Sequence, residues 1–450
     1  MKVIKFGGSS LASAVQLQKV LNIVKDDASR KFVVVSAPGK RSGEDIKVTD
    51  LLINYYEKYL NNEATQKIVD KIVARYEDIM NELEMNKAVL SDIRHAITAL
   101  SQLPKENNPH LFDAFLASGE NNNAKLVAAY FKDQGLAAVY KNPQDLGIIV
   151  SDEPGNARIL PSSYDKIAEF KNTEEIFVIP GFFGYTEAGD ICTFSRGGSD
   201  ITGSIVAAGV QADLYENFTD VDGIFVAHPG IVRQPKTIKA LTYREMRELA
   251  YAGFAVLHDE ALMPAYKAHI PVVIKNTNNP SHPGTLITTK RDTSSEPVVG
   301  IASDQNFANI YISKYLMNRE LGFGRKVLQI LEEMGLSYEH MPSGIDDISI
   351  ILRERQLSPE IEEALIQKLD QVLKPDELRI TRGLSMIMIV GEGMRQRIGV
   401  TADSTMALAE NEINLEMINQ GSSEVSIMFG IRKDQEKQAI RALYNTFFNK

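Results

Sequence analysis

The sequence predicts an α/β protein: a three-layer α/β/α sandwich with a mainly parallel central sheet, followed by two small α+β units. Two observations support this fold class. Up to about residue 287, short apolar runs alternate with segments of helical periodicity, which is typical of a parallel sheet covered by helices on both faces. Beyond residue 297, one stretch of sequence occurs twice, which indicates a duplicated unit.

The first region contains five apolar runs that we interpret as buried strands. They are residues 3–6, 32–36, 137–140, 176–183 and 271–274. Apolar residues recur at helical spacing between Ala14 and Val24, and the segment 53–103 is long, charged and helical with few breakers. The stretch 278–297 is rich in Pro, Gly, Ser and Thr, so we expect a domain boundary there.

The repeat begins with SYEHMPSGIDDISII at Ser337 and NLEMINQGSSEVSIM at Asn414. When the two copies are aligned from these first residues, they match at Glu339/Glu416, Gly344/Gly421, Ser349/Ser426 and Ile350/Ile427. A G-x-G turn precedes each copy, at 322–324 and 391–393, and this spacing predicts helices of different length between turn and repeat. The duplication fits a pair of ligand-binding modules or a purely structural pair.

The composition excludes several classes of protein. The chain has 450 residues and a net charge of −10, so it lacks the basic surplus of a nucleic-acid-binding protein. Its one cysteine, Cys192, excludes a disulfide framework and a zinc site built from thiolates. The first residues, MKVIKFGG, do not form a signal peptide, and no apolar run is long enough to span a membrane. We therefore expect a cytoplasmic protein with neither a membrane nor a nucleic-acid partner.

The segment KFGGSS at residues 5–10 is the first candidate site. A strand runs into two glycines and two serines, and a helix follows. The backbone N–H groups of Gly7, Gly8 and Ser9 could point at a phosphate, with Lys5 at the strand end where ligands of open α/β sheets bind. The alternative is a strand–turn–helix with a solvated lysine.

The segment CTFSRGGSDITGS at residues 192–204 is the second candidate. Arg196 beside two glycines, Ser199 and Asp200 is compatible with an anion site at the start of a helix. The simpler interpretation is a Gly-Gly turn followed by a helix with Ser199 as its N-cap.

Two further segments carry weaker signals. Glu120 in ASGEN follows a glycine in an expected turn and could bind an ammonium group, although an exposed loop glutamate is the simpler interpretation. Thr219 and Asp220 in NFTDVDGIF end an apolar run and could hold the polar edges of a nucleotide. A calcium loop is excluded for this segment because His228 stands where the loop requires a glutamate.

These segments occur in one order: KFGGSS, VVVSAPG, VTDLL, ASGE, FSRGGSD, FTDVDGI and IKNTNNPSHPGT. Together they resemble the amino acid kinase family, and specifically the aspartokinases of the monofunctional type. The duplicated C-terminal units are similar to the paired ferredoxin-like ACT domains of those enzymes. The resemblance implies a kinase domain at 1–290 and ACT domains at 298–382 and 383–450. It also implies ATP-dependent phosphorylation of the β-carboxylate of L-aspartate, with Mg²⁺ carried by the nucleotide.

The resemblance also assigns residues. Lys5 and Asp200 are the expected catalytic residues. The substrate-binding residues are expected to be Thr49, Glu120, Arg196 and Ser199. The nucleotide-binding residues are expected to be Lys5, Gly7, Gly8, Ser9, Thr219, Asp220 and Phe225. Many aspartokinases carry cations where this chain has Gly230 and Ala255, so the nucleotide pocket departs from the family pattern by two charges.

A regulatory role follows from the same resemblance. The effector, an end-product amino acid such as lysine or threonine, is expected to contact Met317, Gly322, Phe323, Ser337, Glu339, Ser343, Gly344 and Asp346. The ACT domains are expected to join subunits in a homodimer or homotetramer. Two alternatives stay open: a catalytically weak amino-acid sensor, and a kinase for another small acid such as glutamate.

Overall fold

A computed structural model describes residues 1–195, 197–254, 257, 259–423 and 425–449. The chain forms two compact units. The first consists of Met1–Ile224, Thr237–Met246 and Ala255–Arg291, and the second of Phe225–Lys236, Arg247–Phe254 and Asp292–Lys450. In the described residues, no helix is long and apolar enough to cross a membrane.

The first unit contains an eight-stranded sheet in the order β3-β4-β2-β1-β7-β9-β10-β8. Its strands are parallel except for the antiparallel pair β9 and β10, which confirms the prediction of a mainly parallel sheet. The strands are β1 Lys2–Phe6, β2 Arg30–Val35, β3 Ala138–Tyr140, β4 Ile176–Pro180, β7 Leu214–Thr219, β8 Ala240–Thr242, β9 Val272–Asn276 and β10 Thr285–Thr288, with the separate hairpin β5 Phe183–Tyr185 and β6 Ile191–Thr193.

Helices cover this sheet. They are α1 Ala14–Lys25, α2 Val48–Leu60, α3 Gln66–Glu82, α4 Ala88–Ala99, α5 Leu111–Asp133, α6 Pro143–Leu146, α7 Ser162–Ala168, α8 Gly198–Gly209 and α10 Met263–Lys267, while α9 Tyr243–Tyr251 has residues in both units. One hydrophobic core packs α1 to α5 against β1 and β2. The expected long helical segment 53–103 is divided into three helices, because Asn62 and Glu84 adopt positive φ angles of 56° and 54° that no helix accommodates.

The second unit contains a five-stranded antiparallel sheet in the order β12-β11-β13-β15-β14. Its elements are β11 Gly300–Ser313, α11 Phe323–Glu333, β12 Asp347–Arg353, α12 Pro359–Leu373, β13 Glu377–Val390, α13 Val400–Glu410, β14 Met417–Asn419, β15 Ser426–Arg432 and α14 Glu436–Phe448. The number of residues from the start of β11 to the start of α11 equals the number from the start of β13 to the start of α13. This equal spacing confirms the duplication.

One detail of the predicted repeat is wrong. The counterpart of Gly322, the N-cap of α11, is Gly399 at the N-cap of α13, and not a residue of the GEG turn at 391–393. Both glycines adopt the left-handed conformation, with φ angles of 78° and 98°, in which a side chain is strained. With Gly399 as the counterpart, the two helices are equivalent, and α11 and α13 both have 11 residues.

Candidate active site

A lysine–aspartate pair lies where two parallel strands end. Lys5 in β1 pairs in register with Asn217 in the adjacent strand β7, and Asp200 lies in the first turn of α8. The Lys5 Nζ is 2.6 Å from Asp200 Oδ1, and the Asn217 Nδ2 donates to the same oxygen at 2.8 Å. The side chains of Lys5 and Asp200 are only 9% and 15% exposed, so the pair is held in a largely dry environment.

The two glycines after β1 allow a close approach of backbone segments. A Cβ on Gly8 would lie 2.9 Å from the carbonyl oxygen of Ala37, and the Gly39 N–H donates to the Gly8 carbonyl at 2.8 Å. Residues 8–11 form a single 3₁₀ turn, and α1 begins only at Ala14. The Gly7 N–H donates to the Phe218 carbonyl at 3.1 Å, so that group is engaged within the protein rather than directed at a ligand.

Ser199, the serine of FSRGGSD, is not the N-cap of α8 that the simpler interpretation expected. The N-cap of α8 is Gly197, whose φ of 79° is left-handed, and Ser199 is the second residue of the helix. A Cβ on Gly181 would lie 2.6 Å from Ser199 Oγ, so the hydroxyl faces the backbone after β4. Arg196, the expected carboxylate clamp, lies outside the described residues.

Glu120 lies inside the long helix α5, and both the expected turn and the alternative of an exposed loop are wrong. A Cβ on Gly119 would lie 3.0 Å from Ala37 Cβ and 3.1 Å from a Leu52 methyl group, so the glycine permits close packing of α5 on its neighbours. Glu120 is 7% exposed, and its Oε2 has no hydrogen-bond partner among the described residues. Burial raises the pKa of this carboxyl group to about 7.

Thr49 lies close to the same region. It is the second residue of α2, it is partly exposed, and the preceding Val48 N–H donates to the Pro38 carbonyl at 3.2 Å. The loop from Ala37 to Gly39 therefore contacts the start of α2, the glycine after β1 and the middle of α5. This loop connects α2, which carries Thr49, and α5, which carries Glu120, to the Gly8 turn that follows β1.

Three polar residues of this region carried no recognised sequence signal. Asn217 bonds Asp200, and the buried Tyr215 donates its hydroxyl to the Asp200 backbone carbonyl at 3.2 Å. Burial and the Asp200 charge raise the pKa of Tyr215 well above its ordinary value, so it stays a neutral donor. Asn123, fully buried in α5, donates to the Ser36 carbonyl at 2.6 Å. The only available signal was the presence of asparagines in apolar strand and helix segments.

The segment after β7 bears the expected nucleotide residues. Thr219 is the last residue of β7 and donates its hydroxyl to the exposed Asp220 carboxylate at 3.2 Å. Asp222 accepts from the Asn276 side chain at 2.8 Å, which ties this turn to the end of β9. Phe225, also expected to bind nucleotide, is partly exposed and belongs to the second unit. Ala255 lies outside the described residues.

A histidine, a cysteine and an aspartate lie together near the hairpin β5–β6. The Cys192 Sγ is 3.3 Å from His110 Nδ1, and the His110 Nε2 is 3.2 Å from Asp152. Their ligand atoms lie within 4.8 Å of one another, but the thiol and the carboxylate contact opposite ring nitrogens, so one imidazole nitrogen does not face both. Burial and neighbouring carboxylates raise the pKa of the thiol to about 11, so Cys192 is a protonated buried side chain.

The eight expected effector residues separate into two groups within the second unit. The first group surrounds the start of α11 and the start of β12, and it contains Met317, Gly322, Phe323, Ser343, Gly344 and Asp346. Two hydrogen bonds connect these segments, from Leu316 N–H to Asp346 Oδ1 at 2.9 Å and from Asn318 N–H to the Ile345 carbonyl at 3.2 Å. This group is a compact surface site.

The second group, Ser337 and Glu339, lies at the other end of β12. Ser337 bonds Gln356 at 2.9 Å, and Glu339 bonds the Arg353 guanidinium at 3.0 Å. A strand of this length spans about 20 Å, so a single chain does not bring the two groups to one small molecule. Glu339 also accepts from the Tyr251 hydroxyl. Its carboxylate is therefore occupied by partners within the protein.

Comparison with known proteins identifies the class. The amino acid kinase family model matches residues 1–276, and an ACT domain model matches residues 387–447. The first match covers more than half of the chain and contains all the described residues around Lys5 and Asp200. The chain therefore belongs to the amino acid kinase family.

Individual relatives show which kind of amino acid kinase this chain resembles. Aspartokinase 3 of Bacillus subtilis is 55% identical over 448 residues, which cover 100% of this chain and 99% of the relative. The crystal structure of Clostridium acetobutylicum aspartate kinase is 38% identical with a TM-score of 0.89, covering 99% of this chain and all of that one. Escherichia coli aspartokinase III, crystallised with aspartate and ADP, shares the fold over both full chains with a TM-score of 0.78 and 23% identity. The enzyme is an aspartate kinase with ACT domains.

Proposed function

We propose that this enzyme transfers the γ-phosphoryl group of ATP to the β-carboxylate of L-aspartate and forms 4-phospho-L-aspartate. The observation that carries the proposal is the buried Lys5–Asp200 pair at the strand ends, in the same unit as Glu120, whose Oε2 has no partner among the described residues. Lys5 provides a positive charge for a transferring phosphoryl group, and Glu120 provides a hydrogen-bond acceptor for the ammonium group of an amino acid.

The chemistry of this reaction matches the polar groups. The acceptor carboxylate has a pKa near ~4 and is ionised at neutral pH, so no general base is required. The barrier is the approach of one anion to another, and positioning with positive charge lowers it. Lys5 supplies the charge at the transferring group. Asp200 and Asn217 hold the lysine in place, which makes Asp200 a positioning residue. Mg²⁺ accompanies the nucleotide and neutralises its phosphates.

Substrate recognition uses both charged ends of the amino acid. Glu120 accepts from the α-ammonium group, and the Arg196 guanidinium holds a carboxylate in a two-pronged contact. Thr49 and Ser199 complete the pocket. The nucleotide phosphates lie on the N–H groups of Gly8 and Ser9, at the start of the 3₁₀ turn, and the nucleotide extends along Thr219 and Asp220.

Regulation takes place through the ACT domains, which we assign to residues 298–382 and 383–450. An end-product amino acid, lysine or threonine, binds the first effector group around Met317 and Gly322. E. coli aspartokinase III has been crystallised with lysine and aspartate, which supports an amino-acid effector. The reaction is the first step of the aspartate pathway in the cytoplasm, which leads to lysine, threonine and methionine.

A homodimer joined through the ACT domains completes the effector site. Since the two effector groups lie at opposite ends of β12, the Glu339 group of one copy faces the Met317 group of its partner. Exposed apolar side chains surround the first group: Leu321 is 96% exposed and Ile345 70%. Such an apolar patch indicates a protein interface. Leu321→Asp should give monomers by light scattering and remove the effector response, whereas Ile366→Asp on α12 should do neither.

The decisive experiment measures ADP release by the purified chain with Mg-ATP and L-aspartate, repeated with L-glutamate, and with L-lysine or L-threonine added. Aspartate-dependent turnover that one of these amino acids suppresses supports both kinase and regulator. Turnover with glutamate alone would reassign the substrate. Binding of lysine or threonine without turnover on any acid would leave an amino-acid sensor.

A further inference from the structure

The helix α5 buries several polar oxygens that have no partner among the described residues. They are Ser118 Oγ, Glu120 Oε2, Asn122 Oδ1 and Asn123 Oδ1. A buried acceptor without a donor is costly, and native proteins seldom leave one unsatisfied. Two of these oxygens, Glu120 Oε2 and Asn123 Oδ1, lie three residues apart, and together they indicate a site that a donor-rich group occupies.

The orientation of the Asn123 side chain is determined by its neighbour. Asn123 is 0% exposed, and its Nδ2 donates to the Ser36 carbonyl at 2.6 Å. Because a carbonyl only accepts, the amide nitrogen must face Ser36. The oxygen Oδ1 is therefore directed away from Ser36, and no described group donates to it.

Glu120 and Asn123 present their oxygens on the same side of α5. They stand at positions i and i+3, a spacing that places side chains next to each other on a helix. Both also hold the same backbone segment, since the Ala37 N–H bonds the Glu120 carboxylate and the Ser36 carbonyl bonds Asn123. This segment continues to Gly39, which bonds Gly8. Through this segment, the side chains that carry the two free oxygens are connected to the Gly8 turn of the active site.

We propose that Asn123 is a specificity-determining residue whose Oδ1, together with the Glu120 carboxylate, binds the α-ammonium group of the amino-acid substrate. An ammonium group has three N–H donors and a positive charge, so it satisfies both oxygens and neutralises Glu120. Neither a carboxylate nor a carbonyl group can do so. This inference rests on the proposed function, which supplies the amino-acid substrate.

The test compares L-aspartate with succinate, which has the same two carboxylates but no ammonium group. Dissociation constants are measured by calorimetry on the full chain, in wild type and in Asn123→Leu. We expect the constant for aspartate to rise about tenfold or more, as for a lost hydrogen bond to a charged group, and that for succinate to stay within about twofold. Asn121→Ala, a neighbour whose side chain accepts from Tyr140, should change neither constant.

The outcomes separate the two proposals. If Asn123→Leu weakens both ligands by the same factor, Asn123 only supports the Ser36 backbone and the inference is wrong. The same holds if wild type binds succinate as tightly as aspartate. If wild type neither binds aspartate nor releases ADP with it, the proposed function itself fails. Should Asn123→Leu not fold, Asn123→Ala is judged by the same ratio of constants.

Discussion

Two carboxylates of the catalytic unit, Asp200 and Glu120, are both shielded from water but have opposite surroundings. Asp200 accepts from Lys5 at 2.6 Å and from Asn217 at 2.8 Å. Glu120 accepts from the Ala37 backbone, no described side chain neutralises it, and burial raises its pKa to about 7. Lys5 neutralises Asp200 within the protein, whereas no described cation neutralises Glu120.

This difference separates two tasks of the active site. Around Lys5, the polar groups are preorganised by one another, so the charge is in place before the phosphoryl group arrives. Around Glu120, the free energy of a buried, unneutralised carboxylate opposes folding and is relieved when a cationic group binds. Substitutions on the Lys5 side should therefore change kcat, and those on the Glu120 side should change substrate affinity and stability.

The largest effect is expected from Lys5→Met. Loss of the positive charge at the transferring group should lower kcat by about a thousandfold or more, as for other groups that stabilise transition-state charge. Binding of aspartate should remain detectable by calorimetry. Lys2→Met is the matched control, because Lys2 also forms an ion pair, with Asp27 at 2.7 Å, but at the other end of β1. A kcat for Lys5→Met close to that of wild type would remove the lysine from the mechanism.

The next effect is expected from Glu120→Gln. The neutral amide loses the charge that attracts the ammonium group, so the KM for aspartate should rise roughly 10- to 100-fold. The kcat and the KM for ATP should change by no more than about threefold, since the interaction is lost equally in ground and transition states. Glu216→Gln is the control: Glu216 is buried but paired with Arg30 at 2.5 Å, so this change should reduce stability without raising the KM. A kcat defect in Glu120→Gln at constant KM would contradict the assignment.

The two sides also differ in how far the sequence could predict them. Lys5 follows from the glycine-rich segment at the end of a strand, where ligands of open α/β sheets bind, whereas the role of Asp200 was inferred from the resemblance to the family. Glu120 was expected in a turn because Ser, Gly and Asn are poor helix formers. The packing of Gly119 on Ala37 and Leu52 overrides that local preference, and only tertiary structure reveals such packing.

The remaining differences have similar causes. Asn217 reaches Asp200 because β1 and β7 pair in a particular register, and register between strands so distant in the sequence has no local signal. From the sequence alone Asn123 resembles a surface asparagine, and only the structure shows that it is buried in α5. In the second unit the match between the two copies identified the duplication, but the nearest glycine pattern, GEG, was mistaken for the capping glycine Gly399. Local sequence motifs therefore predict where helices and strands lie more reliably than they predict which residues contact each other.

A pH dependence should appear on the Glu120 side. With a pKa of about 7 in the free enzyme, Glu120 becomes protonated as the pH falls below 7 and then cannot neutralise an ammonium group. The KM for aspartate should therefore rise by about tenfold between pH 7.5 and 6, while kcat, which reports the substrate-bound enzyme, stays nearly constant. Glu120→Gln should lose this dependence. If the variant retains the same pH profile, another group is responsible for it.

The smallest effect concerns stability without substrate. Because burial raises the Glu120 pKa from 4.5 to about 7, the folded protein binds more protons than the unfolded chain between these values, and its stability falls as the pH rises from about 4.5 to about 7. Glu120→Gln removes this term, so at pH 8 the variant should have a free energy of unfolding up to about 3 kcal/mol higher than wild type. At pH 4 the two should be equal, and saturating aspartate should narrow the difference at pH 8, because wild type binds aspartate more tightly than the variant. Urea unfolding at both pH values measures this, and a variant less stable than wild type at pH 8 would mean that Glu120 is neutralised within the protein.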